Sequence, residues 1–103
     1  MRIVTEFFGT AVRLTDERLT HVLEHPEMLG MEPEIERTLI HPALVRQSRT
    51  DADAKLFCEF YSQTAVGGKW LCVVVKYLSD DAFMVTAYPT DQPKAGTDLW
   101  PTK

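Results

Sequence analysis

The stretch Gly68-Lys69-Trp70-Leu71-Cys72-Val73-Val74-Val75-Lys76 decides the fold. Its centre, Trp70–Val75, has no charged or amide side chain, and Trp70, Val73, Val74 and Val75 are aromatic or β-branched. A short apolar run of this composition is a strand, and one without polar alternation is a central strand, covered on both faces or on most of one. The same run is far too short to span a bilayer.

Outward from it the strand period continues. Strands are expected near residues 44–48, 55–62, 69–77 and 82–88, broken by Thr50-Asp51-Ala52-Asp53, Ala65-Val66-Gly67-Gly68 and Ser79-Asp80-Asp81. Short connections between consecutive strands favour an antiparallel meander. Upstream the period is helical. Thr15 reads as an N-cap with Asp16 and Glu17 in the first turn, Leu19, Val22 and Leu23 follow at helical spacing, and Pro26 stops the helix near Glu24. A second helix is expected from Pro33 to about Ile40, with Ile35 and Leu39 as its apolar stripe and His41-Pro42 closing it. Residues 2–8 allow an extra N-terminal edge strand. The tail after Pro89, with Pro93, Gly96 and Pro101, reads as loop, its end either docked or free.

The expected architecture is one α+β domain over residues 1–103. Two N-terminal helices pack on one face of a four-stranded antiparallel sheet, and the other face stays free for a ligand. An uncovered edge at Leu44–Ser48 suits either a monomer or a homodimer.

Composition narrows the partners. Eleven Lys and Arg stand against fifteen Asp and Glu, a net charge of −4. That argues against a broad nucleic-acid footprint but not against a local basic pocket, because field sign depends on placement. Cys58 and Cys72 make neither a disulfide framework nor a zinc site, and each reads as a small buried hydrophobe in a reducing compartment. Met1–Val12 has no apolar stretch long enough for a secretory signal, so a cytoplasmic location without membrane contact is expected.

The chemistry-bearing residues fall into a few groups. Arg18, His21 and His25 lie on one stripe of the first helix, where a guanidinium and two imidazoles suit phosphate binding and proton exchange near neutral pH. A solvated helix face explains the same stripe. His21 and His25 could share a metal with Glu24, Glu27 or His41, but no HExxH pattern is present, and no metal or cofactor is expected. Lys76 shares a face with Trp70, Cys72 and Val74, as a snorkelling strand end or a phosphate-directed charge. Thr86 and Tyr88 fall by alternation on one face with Ala82 and Met84, as anion donors or plain strand formers. Arg46 and Arg49 flank Ser48, and Glu59 shares a face with Phe57 and Tyr61. There is no P-loop, GxGxxG or GxSxG motif, nor the aromatic–basic interleaving of single-strand binders.

The run from Leu14 to Glu27, with its Arg-xx-His-xxx-His-Pro block, resembles the opening of a group of small bacterial proteins. Leu39 with Pro42 and Ser48, the block Gly68–Lys76, and Phe83 with Thr86-Ala87-Tyr88 follow in the same order. Over about residues 12–100 the chain resembles the phage-associated, toxin-like branch of the barnase–EndoU–colicin–RelE superfamily. That resemblance implies a metal-independent, RelE-like ribonuclease fold of the toxin–antitoxin type, with RNA as substrate and an antitoxin or immunity protein as partner. Carried over by position, Arg18, His21, Lys76 and Thr86 become catalytic candidates, and His25 and Tyr88, with Arg46, candidate substrate-binding positions. The substrate's 2′-OH would attack the adjacent phosphate, with His21 exchanging protons and Arg18 and Lys76 stabilising the charge that develops. This requires Arg18, His21 and Lys76 to converge. Glu59 departs from the family pattern, in which Arg or Lys is frequent there, and a carboxylate at that place would repel a phosphodiester. The alternative is a domain of the same fold that binds without cutting.

Overall fold

The computed structural model describes residues 1–102 as one sheet with a helical layer. Its strands are β1 (Arg2–Thr5), β2 (Ala11–Leu14), β3 (Leu44–Gln47), β4 (Ala54–Thr64), β5 (Gly67–Leu78), β6 (Asp81–Thr90) and β7 (Thr97–Trp100). Helix α1 spans Asp16–Leu23 and α2 spans Glu32–Ile40, with a single 3-10 turn at Pro26–Met28 between them. Thr15 caps α1, its hydroxyl accepting the Arg18 N–H at 3.3 Å. Pro33 sits in the first turn of α2, where no N–H is needed.

The expectation of a four-stranded antiparallel sheet is corrected. The sheet has seven strands in the order β1-β2-β6-β5-β4-β3-β7, and it is mixed, because β2 runs parallel to β6 through the pair Arg13–Phe83. The edge strand allowed for residues 2–8 is present as β1 at one end of the sheet, but it forms a hairpin with β2, which was not expected, and the tail expected to be loop contains β7. β7 pairs with β3, so the edge at Leu44–Gln47 is covered. β2 and β7, at four residues each, carry too little periodicity to announce themselves; what recruits them is the row of unpaired N–H and C=O groups along the neighbouring strands.

β4 and β5 form the long central hairpin. Gly67 makes its turn, with φ at +91°, a conformation that favours glycine. The helices bury Leu19, Val22, Ile35 and Leu39 against Val12, Leu14, Phe57, Val73, Val75 and Met84 on one sheet face. The opposite face carries a smaller cluster of Leu56, Cys58 and Cys72, with Leu44, Trp70, Val74 and Tyr88 around it.

A bulge in β6 corrects one face assignment. Val74 pairs with Thr86 but Val75 pairs with Met84, leaving Val85 as the extra residue. The added residue reverses the alternation. Ala82 and Met84 therefore enter the helix-side core, while Thr86 and Tyr88 turn to the opposite face with Val74 and Cys72.

Candidate functional site

On the face away from the helices lies a groove with a cavity of about 280 Å³. Ala54, Leu56, Val74 and Val85 supply its apolar surface, and Ser48, Thr50, Thr86 and Tyr88 supply four hydroxyls. Lys94 and Asp51 bring the charge. Lys76 stands beside it, its ammonium bonded to the Asp51 carboxylate. This pairing holds Asp51 below the usual carboxylate range, chiefly through the hydrogen bond, and raises Lys76 by the same bond. Lys94 makes no ion pair among the described residues; its ammonium lies 5.6 Å from the centre of the Tyr88 ring.

The tail is positioned by β3. The Arg46 guanidinium donates to Asp98 at 2.7 Å and to the Lys94 carbonyl at 3.0 Å. Gly96 passes so close to β3 that a Cβ there would lie 2.4 Å from the Gln47 carbonyl oxygen. These contacts bring Lys94 over the sheet. Tyr88 sits beneath it with a buried hydroxyl that has no hydrogen-bond partner among the described residues. Burial pushes the Tyr88 hydroxyl up to about 12, so it is a neutral donor at ordinary pH.

The sequence-derived site is thus partly assembled. Thr86 and Tyr88 line the groove, and Lys76 adjoins it through Asp51. Arg18 extends from α1 to the Val85 carbonyl at 3.4 Å, so it meets the wall of the groove from the helix side. Arg46 acts on the tail rather than lining the cavity. His21 and His25 do not join. His21 is exposed on α1 and His25 just beyond its end, so the stripe expected on one helix is cut by the helix stop; their rings lie edge to face at 6.0 Å, while α1 packs on the face that Lys76 does not share. No group of three or more His, Cys, Asp or Glu is arranged to hold a metal among the described residues.

Glu59 pairs with Leu71, a residue of the helix-side core, and so lies across the sheet from the groove. Its carboxylate accepts the Phe60 N–H at 3.0 Å. The repulsion expected of it does not act at the groove. The negative charge is likewise elsewhere: residues 16–40 hold seven of the fifteen acidic and two of the eleven basic residues, leaving nine basic against eight acidic in the rest of the chain.

Lys94, Asp51, Ser48 and Thr50 were not legible as site residues. Lys94 sits in a tail with no periodicity of its own, and the others belong to a turn. The one available signal was Thr97-Asp98-Leu99-Trp100 after Gly96, a short alternating run able to add a strand. No helix among the described residues is long and apolar enough to cross a membrane. In comparisons with known proteins, no family model, no curated protein and no solved structure matches the chain.

Proposed function

We propose that the chain is an RNA-binding domain whose groove seats a backbone phosphate between Lys94, Thr86 and the Tyr88 hydroxyl. The observation that carries this reading is the donor set: an unpaired ammonium, four hydroxyls and a single carboxylate that Lys76 already neutralises. Charge-assisted and neutral donors around an apolar floor suit a phosphate joined to a sugar and base. The family resemblance supplies RNA as the polymer. The acidic helical layer faces away and limits contact to the groove side.

Cleavage is the second reading, favoured by Arg18 at the Val85 wall beside Thr86. In this version Arg18 and Lys94 would stabilise the charge on the phosphorane, and water in the groove would accept the 2′-OH proton. His21 would take no part, since it stands on the outer side of α1.

One experiment addresses both. Fluorescently labelled single-stranded RNA is mixed with the protein in EDTA, with anisotropy reporting binding and a denaturing gel reporting cleavage. Lys94→Ala and Thr86→Ala are each expected to weaken binding by roughly tenfold, the loss of one good phosphate contact, while Arg49→Ala leaves it near wild type. RNA that neither binds nor is cut by the wild-type protein overturns the proposal. Cutting that vanishes in His21→Ala would return the imidazole to the chemistry and sink the groove-centred version.

A further inference from the structure

Beneath the groove, Cys58 and Cys72 are register partners on β4 and β5, and their sulfurs are 3.0 Å apart. Both are reduced and neither has solvent exposure. We propose that these two thiols form a reversible disulfide on exposure to hydrogen peroxide, a redox modification site linking the two longest strands under the groove floor.

The geometry is already close to the product. Opposed residues of an antiparallel pair have Cα atoms about 4.5–5.5 Å apart, within the range a disulfide tolerates. A disulfide bond is about 2 Å long, so the sulfurs need to approach by about 1 Å. Peroxide would arrive from the groove, because Leu56, Val74 and Tyr88 pack around the pair and also line the cavity. The shared S–H···S contact stabilises a thiolate on one sulfur while burial opposes ionisation of both, so the pair shares one ionisation that either thiol can lead, here Cys72.

The steps balance. Cys72 loses its proton, and its thiolate attacks one peroxide oxygen; an S–O bond forms, the O–O bond breaks, and hydroxide leaves to become water with that proton. The Cys58 sulfur then attacks the Cys72 sulfur; the S–S bond forms, the S–O bond breaks, and the departing hydroxide takes the Cys58 proton. Two thiols are oxidised and one peroxide is reduced to two waters.

The test treats the purified full chain with hydrogen peroxide, quenches, and digests with trypsin without reductant. Cleavage after Lys55, Lys69 and Lys76 leaves Cys58 in peptide 56–69 and Cys72 in peptide 70–76. The expected result is these two peptides joined, a loss of both titratable thiols, and reversal by dithiothreitol. Oxidation should also raise the melting temperature by at least about 5 °C, an effect absent from Cys58→Ala and Cys72→Ala. Thiols that still titrate in full, sulfinic products in place of the linked peptides, or a link between two chains would each overturn the proposal. Peptide mapping of wild-type protein decides the matter even if an alanine variant fails to fold.

Discussion

At the scale of single residues, Glu6 is the side chain with most to lose. It is only 3% exposed, yet its carboxylate accepts the Phe8 N–H at 2.6 Å, the Thr10 N–H at 3.0 Å and the Tyr77 hydroxyl at 2.6 Å. Those bonds hold the β1–β2 turn against the helix-side core and raise Tyr77 well above the ordinary phenol value, through burial and then the Glu6 bond. Glu6→Ala strands two backbone donors and the Tyr77 hydroxyl, and urea unfolding should register a loss of about 2–4 kcal/mol. Tyr88 behaves oppositely. Its hydroxyl is buried without a partner among the described residues, so Tyr88→Phe should raise stability by up to about 1 kcal/mol while weakening RNA binding. The folded state holds the Tyr88 proton more tightly than the unfolded chain, so its contribution is complete below pH about 10 and declines as pH rises towards about 12. A Tyr88→Phe protein that is destabilised, with unchanged RNA affinity, would count against the orphan hydroxyl as a ligand-facing group.

At the scale of elements, the tail and the bulge build the groove. Gly96 is where the chain crosses β3 too closely for a side chain, and it delivers Lys94. Gly96→Ala should therefore displace residues 93–96, costing about 1–3 kcal/mol by overpacking, and reduce RNA binding as much as Lys94→Ala does. Equal affinity in Gly96→Ala and wild type would separate the tail from the site. The three long strands β4, β5 and β6 and both helices were legible because each spans at least two periods of its pattern and is bounded by Pro, Gly or Asp-rich turns. Of the four-residue strands, β3 was read near 44–48 and β1 was allowed as an edge, while β2 and β7 were not read. The Val85 bulge was invisible for another reason: an added residue changes face without changing composition, so alternation counted through it put Ala82 and Met84 on one face with Thr86 and Tyr88.

At the scale of the whole molecule, charge is sorted rather than summed. Acidic side chains crowd the helical layer, while the sheet carries bidentate and single ion pairs, among them Arg13 with Asp81 and Lys76 with Asp51. The Arg13 hydrogen bond lowers Asp81 as the Lys76 bond lowers Asp51. A carboxylate lowered in the folded state stabilises it above the ordinary value near 3.8 and loses that contribution as pH falls through the lowered value. Wild-type stability should accordingly fall off below pH about 4, and Asp51→Asn with Asp81→Asn should flatten that decline in urea titrations. Because these pairs are at the surface and only half-buried, solvent screening keeps the loss of the double variant at neutral pH small.

By itself the sequence determined the central apolar strand, the helical N-terminal layer and the supply of hydroxyls and cations for an anion site. Local periodicity, capping and turn chemistry act over a few residues, and those were enough. Only the tertiary structure decided that the sheet recruits three further strands, that Lys94 rather than His21 reaches the groove, and that Glu59 faces away from it. It also brought Cys58 and Cys72 into contact. Each of these depends on register, a bulge or strand pairing between distant segments, and sequence distance says nothing about which backbone groups will find each other.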